Sequence, residues 1–396
     1  MHSFNVKNLY IYKFISNCLP IYAFYTILFI ERGQSLTNVA ILIAIWSVFA
    51  IIFEIPSGIL ADRWNRRNML ALASILQGIC FLMWFFSHSF LMFAAGFVFW
   101  ALAGAFTSGT EEGLIYDNLK SDNREEDFAA VYGKARFFEH AGSIAGIASA
   151  GIIASFINID VIALISAAIC FINVIFVMQL REKNFYSERL SDENEEKAAS
   201  FIETFKESAR FIKGNKAALS FILFLALFAS LGAYLDEFDA LIINDFDLNS
   251  VWVSVILTVR FVFIALGDIL APIVQKKFRS ARQIFIIFVL SCILLAVFSL
   301  IWNQFALLIF GLSVMLMAIT EILFVDALQN EIKEEGRSTV MSFYGAAQNI
   351  VMICFSLMYG LLAKVFTLSQ VYVIISIYGI IGGVFFCYAQ KKASIN

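Results

Sequence analysis

The chain has 396 residues, 61% hydrophobic and only 15% charged, with a formal net charge of −3 and a mean hydropathy of +0.82. Soluble domains carry about a quarter charged residues, so the composition excludes a water-soluble enzyme, a nucleic-acid binder and a disordered scaffold. Forty-three Phe against three Pro point to long helices in lipid, each needing ~20 apolar residues to cross a bilayer.

In chain order, the apolar runs predict twelve transmembrane helices at approximately 8–31, 36–61, 68–87, 90–117, 129–155, 159–180, 217–243, 250–275, 282–302, 304–330, 337–365 and 369–390. The first run is too long for a signal-peptide core and Met1 to Lys7 offers no cleavage site, so it is read as a span. No Asp, Glu, Lys or Arg occurs at 68–110 or 283–320. Each stretch fits two spans joined by a tight turn, near Ser87-His88-Ser89 and Asn303-Gln304. The expected fold is an all-α membrane protein of two pseudo-symmetric six-helix bundles, 1–180 and 217–396. Between them, 181–216 is the only long hydrophilic segment, and Phe201, Phe205, Ala209 and Ile212 recur there at helical spacing, predicting an amphipathic helix at the membrane face. The six cysteines lie in apolar stretches without CxxC spacing and are read as small buried hydrophobes.

Against these spans, 25 of the 28 Lys and Arg residues fall on one side of the membrane, Lys13 counted among them. Only Arg32 and Lys364 fall on the other, while Arg260 lies inside a span. The positive-inside rule puts both termini in the cytoplasm, in a multi-pass protein of the cell membrane. The halves also share a repeat. At an offset of 209 residues, Glu112 meets Glu321, Asp117 meets Asp326, Glu139 meets Gln348 and His140 meets Asn349.

The turn between spans 2 and 3 reads Gly58-Ile59-Leu60-Ala61-Asp62-Arg63-Trp64-Asn65-Arg66-Arg67-Asn68-Met69-Leu70. It resembles the cytoplasmic signature loop of the major facilitator superfamily, G-x-L-A-D-R-x-G-R-R/K-x-x-L, matching eight of its nine specified positions. Asn65 replaces the usual Gly, a mild change if the site is left-handed, since Asn tolerates that backbone. The resemblance implies alternating access, with Gly58, Asp62, Arg63, Arg66 and Arg67 forming a gate and Asp117 as the arginine partner. Arg63 and Arg67 have a second reading, as charges that set topology only. In the second half, Gln275 stands where Asp62 would align. Span 5 carries Gly142, Gly146 and Gly151, similar to an antiporter motif that lacks its Pro here; close helix packing explains the glycines equally well. Trp100 occupies a position where many proton-coupled members carry Arg.

Ionisable groups at membrane depth mark a pathway or a structural pair. At ~1.5 Å per residue, Arg260 lies about 15 Å inside span 8, within reach of Asp236 or Glu237 on span 7, as an ion pair or a binding group. Glu139 and His140 lie about 16–18 Å into span 5, a pair suited to proton coupling unless Arg136 neutralises Glu139. Glu54, Asp268, Glu112 and Glu321 are candidates for an inner acidic cluster, with Gln348, Asn349 and Asp326 as further coupling or substrate residues. Tyr22, Tyr25 and Asn17 are expected to line a cavity.

No nucleotide loop, catalytic constellation or metal-ligand cluster is present in the sequence, so neither enzyme activity nor a cofactor is expected. The expected partners are a small-molecule substrate, protons as coupling ion and the lipid bilayer, with no nucleic acid; a monomer is expected. The leading function is proton-coupled efflux of small organic compounds or drugs, as in the family's drug:proton antiporters. Uptake of a small nutrient or metal complex, and a non-transporting receptor on a carrier scaffold, are the alternatives.

Overall fold

The computed structural model describes residues 6–183, 219, 222–278, 280–331 and 337–393. The side chains of Asp62, Arg63 and Cys387 are not among those described. The amphipathic helix expected in the linker falls at 201–212, outside the described residues. The contacts divide the chain into two compact units, 1–197 with 249–255 and 198–248 with 256–396.

The first unit contains α1 (Val6–Asn17), α2 (Tyr25–Glu31), α3 (Leu36–Arg63), α4 (Arg66–Phe86), α5 (Phe90–Thr107), α6 (Thr110–Ser121), α7 (Phe128–Phe156) and α8 (Ile159–Met178). Then come α9 (Leu231–Asp236), α10 (Asp239–Asn244), α11 (Ser250–Lys277), α12 (Ala281–Ile301), α13 (Leu307–Glu331), α14 (Arg337–Leu362) and α15 (Leu368–Ala393). Among the described residues, eleven helical stretches are long and apolar enough to cross a membrane, α1–α2 and α5–α6 each counting as one. A shorter apolar stretch, Ile222–Asp236, corresponds to the seventh expected span.

Three spans expected to be continuous are broken, the first two for a local reason. Span 1 opens after Asn17 into a 3-10 turn at Pro20–Ala23, because Pro20 has no amide hydrogen to continue the helix. Span 4 breaks at Gly109, whose φ of +70° suits a residue without a Cβ. Span 7 passes through a π turn at Leu225–Ala229 and breaks again between α9 and α10.

Polar side chains start several helices. Ser35, Asn65 and Ser89 each accept a hydrogen bond from the amide three residues on, satisfying a donor that the first turn leaves free. Asn65 therefore stands in the signature loop as an N-cap with φ −68° and ψ 117°. It is not left-handed, which corrects the reason expected for its tolerance. At the opposite end of the bundle, Arg32 bonds the Trp84 carbonyl, the Ser87 carbonyl (2.6 Å) and Asp160 (2.5 Å), a cation set against the C-terminus of α4.

α7 packs along α1 because two glycines allow it. A Cβ on Gly142 would sit 2.2 Å from the Phe14 carbonyl oxygen, and one on Gly146 2.6 Å from the Leu19 nitrogen. Packing thus accounts for both residues, and they carry no separate information about transport direction. Cys80, Cys170 and Cys292 are buried as expected, whereas Cys354 is exposed; a helix in lipid can present an apolar thiol outward at no hydrophobic cost.

Candidate functional site

The break in span 4 creates the site. By ending α5 and restarting at α6, the chain presents a new helix N-terminus with Glu111 and Glu112 in its first turn, where the positive end of the helix dipole favours carboxylates. Beside them lies a cavity of about 340 Å³ within the first unit, lined from α1, α4, α5, α6 and α7.

One end of this cavity is ionic. Lys13 of α1, only 5% exposed, lies 2.5 Å from Glu111 and 2.8 Å from Glu139. Tyr12 donates to Glu111, and Arg136 reaches Glu139 at 2.8 Å. Glu112 accepts from the Tyr132 hydroxyl at 2.9 Å, while its other oxygen, Oε2, is buried without a hydrogen-bond partner. Three carboxylates thus face two cations, and the exposed Arg136 (48%) is the weaker of these. The other end is aromatic. Tyr22 stacks on Trp100 with centroids 5.4 Å apart and accepts from Gln77 at 2.7 Å. Phe81, Trp84 and Phe97 pack behind Trp100.

Several predicted residues meet here and others do not. Glu112, Glu139, Asn17 and Tyr22 line the cavity. Tyr25 is buried in the aromatic cluster instead. His140 is exposed and absent from the lining, because adjacent residues on a helix point about 100° apart. The expected Glu139–His140 unit is therefore replaced by Lys13–Glu139–Arg136. Lys13 itself is no surface charge: it is buried, which corrects its place among the topological bases. Glu54 is exposed on α3 and lines neither cavity.

The signature-loop residues expected to form a gate lie at one end of the same unit. Asp62 and Arg63 belong to the last turn of α3, and Gly58 has open space where a Cβ would be. Arg66 bonds Asp117 at 2.6 Å, both nearly buried. Glu182, just past the last span of this unit, accepts from the backbone amides of Arg66 at 3.1 Å and Arg67 at 2.8 Å. Burial raises the Glu182 carboxyl above the usual carboxylate range, opposed by those amides and the two arginines. Arg181 pairs with Asp122 at 2.6 Å.

In the second unit, Asp268, Glu321 and Asp326 line a cavity of about 350 Å³. Glu321 accepts from Ser230, Tyr344 and Gln348 at 3.2–3.4 Å, and Gln348 donates to Ser230 at 2.6 Å. Asn349 bonds the Gly345 carbonyl. Gln275 donates to Asp326 at 2.6 Å, so this acid has a neutral partner from the span before the turn, while its repeat-mate Asp117 has a cation from the span after it. Arg260 pairs with Asp236 and also with Asp239; Glu237 lies between them in sequence.

The sequence reading missed Lys13, Glu111, Tyr12, Tyr132, Asp239 and Glu182. A signal existed for the first two: a lysine seven residues into a helical span requires an acid, and Glu111 adjoins a residue already singled out.

Comparison with known proteins fits this architecture. Residues 14–356 match the family model of the Major Facilitator Superfamily. An uncharacterized MFS-type transporter, YfkF of Bacillus subtilis (strain 168), is 33% identical over 67 residues, which is 17% of this chain and 16% of that protein's length. The structure of the nucleoside transporter NupG is similar with a TM-score of 0.81 at 16% identity, over 98% of this chain and 99% of that one. The POT family transporter PepTSo gives 0.71 at 12% identity, covering 99% and 98%. A D-xylose-proton symporter gives 0.72 at 13%, covering 96% and 95%. Likeness at such identities speaks for the fold alone. With 343 consecutive residues under the family model and a signature loop in the expected turn, the chain belongs to the Major Facilitator Superfamily: it is a multi-pass membrane transporter and not an enzyme.

Proposed function

We propose that this transporter is a proton-coupled exporter of small organic compounds, working as a monomer by alternating access. In this reading the halves 1–180 and 217–396 are joined by a cytoplasmic linker, 181–216, and both termini face the cytoplasm. The observation that carries it is the unmet oxygen of Glu112 in a cavity where three acids face two bases. A buried acceptor without a partner is costly. A proton on Glu112 removes the charge, and a donor group on a substrate satisfies the same oxygen. The two therefore compete for one carboxylate, and competition at a shared site is the condition for exchange. With protons entering down their gradient, exchange drives the substrate outward. The Tyr22–Trp100 stack supplies a flat surface for a ring on the substrate. Glu139 is less suited to carry the proton, since protonating it removes its ion pairs with both Lys13 and Arg136.

The test uses everted vesicles energised to an acidic lumen. Addition of a transported compound is expected to make the lumen alkaline, and Glu112→Gln is expected to abolish this while leaving substrate counterflow measurable. Substrate movement with protons, or proton flux that survives Glu112→Gln, overturns the proposal.

A further inference from the structure

The hydrogen bonds around the first unit's cavity narrow what it can hold. Between the ionic and aromatic ends its wall carries Ser16 and Asn17 of α1, Ser74 of α4 and Thr107 of α5. The hydroxyls of Ser16, Ser74 and Thr107 donate to the carbonyls of Lys13, Leu70 and Ala103 at 3.0–3.1 Å. Asn17 Nδ2 donates to the Lys13 carbonyl at 3.1 Å and to Ser16 Oγ at 3.0 Å. A carbonyl only accepts, so each of these hydroxyl protons, and the amide nitrogen of Asn17, must point back at its own helix. What the four side chains leave for a ligand is oxygen lone pairs.

The stronger donors are committed as well. Lys13 lies against Glu111 and Glu139, and Arg136 against Glu139. Tyr12 and Tyr132 donate to Glu111 and Glu112. Glu112 Oε2 remains buried without a partner. A wall of acceptors with an excess of carboxylates complements a cation that carries N–H donors, because charge-assisted N–H···O bonds are the strong ones. Charge alone does not meet the need. A quaternary ammonium has no hydrogen to give, and it would leave desolvated acceptors unmet at a cost. At about 340 Å³ the cavity lies at the small end of ligand sites. Trp100 and Thr107 are seven residues apart on α5, about 10 Å along the helix. A ring against Tyr22 and Trp100 and an ammonium near Thr107 and Glu112 therefore fit one short molecule.

We propose that the substrate is a small primary or secondary amine, bound as its ammonium ion with one ring against Tyr22, and selected by its N–H donors. This rests on reading the Glu112 cavity as the substrate site; it depends neither on the direction of transport nor on proton exchange.

The experiment is isothermal titration calorimetry of the purified full-length protein in lipid nanodiscs at pH 7.5, with empty nanodiscs as the blank and no gradient. The probes are two isomeric cations, N-isopropyl-4-phenylbutylammonium and N,N,N-trimethyl-4-phenylbutylammonium. They share ring, tether, charge and atom count, but only the first has N–H donors. It is expected to bind about tenfold tighter or more, the loss expected for one hydrogen bond to a charged group, and Glu112→Gln is expected to weaken it by about the same factor. Equal affinities, tighter binding of the trimethyl isomer, no binding of either, or an isopropyl affinity unmoved by Glu112→Gln each overturns the proposal. Should Glu112→Gln not yield folded protein, the isosteric Thr107→Val removes one acceptor and should narrow the isomer ratio roughly two- to threefold; an unchanged ratio overturns the proposal equally. A preference for the N–H isomer stands even where the vesicle assay shows no proton exchange, and exchange with a compound outside this class leaves the exporter reading intact, so the two fail separately.

Discussion

Lys13 gives the most direct test of the ionic end of the cavity. Its ammonium lies 2.5 Å from Glu111 and 2.8 Å from Glu139, and it is 5% exposed. Lys13→Met keeps the length and apolar stem of the side chain and removes only the charge. Glu111 is then left with the Tyr12 hydroxyl, and Glu139 with a half-exposed arginine. Two unit charges 4 Å apart at an effective dielectric of 20 attract by ~4 kcal/mol, most of which offsets desolvation in the intact pair. Removing one partner exposes the desolvation term, a loss of roughly 3–5 kcal/mol. The expected result is a clear fall in the apparent melting temperature of the detergent-purified protein, followed by fluorescence-detected size exclusion. The double variant Lys13→Met/Glu111→Gln should recover most of the loss, because one stranded charge is gone. The sign with pH follows: protons neutralise the stranded carboxylates, so the deficit of Lys13→Met should shrink as pH is lowered from 8 to 5. A Lys13→Met protein that melts with the wild type at pH 8, or a double variant that melts no higher than the single, refutes the reasoning.

Two further outcomes are expected. Gly142→Ala places a methyl 2.2 Å from a backbone oxygen that no rotamer change can move, so α1 and α7 must part; a loss of about 1–3 kcal/mol should appear as a lower melting temperature, and an unchanged one would show that the helices do not meet there. Burial raises the Glu182 carboxyl above its ordinary range, so its folded form binds the proton more tightly than the unfolded one, and the stability it contributes is present below the unfolded value and lost as pH rises through the folded value. Glu182→Gln should therefore gain in melting temperature relative to the wild type across that rise, and a difference that is flat with pH would assign the Glu182 contact no such role.

Much of the fold was legible in the linear pattern. Membrane helices must satisfy every backbone group internally and cover themselves with apolar side chains, so length and hydropathy nearly suffice to place them. The span ends at α3, α8 and α11 fall within two residues of those expected. Spans 1, 4 and 7 were legible in extent and not in form. A proline in span 1 and a glycine in span 4 each disrupted an otherwise apolar stretch, and hydropathy averages over such local events. The three breaks lie beside candidate site residues: Tyr22 in the first, Glu111 and Glu112 just past the second, and Asp236 at the third.

The site itself was only half legible. Glu112, Glu139, Arg66, Asp117, Arg260 and Asp236 stood out because an ionisable residue in an apolar run is rare enough to notice singly. Their partners were another matter. Lys13 is 98 residues from Glu111 and 126 from Glu139, and no periodicity links positions so far apart. By itself, then, the sequence determined a multi-span membrane carrier with its signature loop in the expected turn, because the bilayer acts on each segment separately. Which acid holds which base, which oxygen of Glu112 goes unmet, and which face His140 presents were decided by tertiary structure alone, because ion pairing depends on the distance between side chains across helices, and helix packing sets that distance.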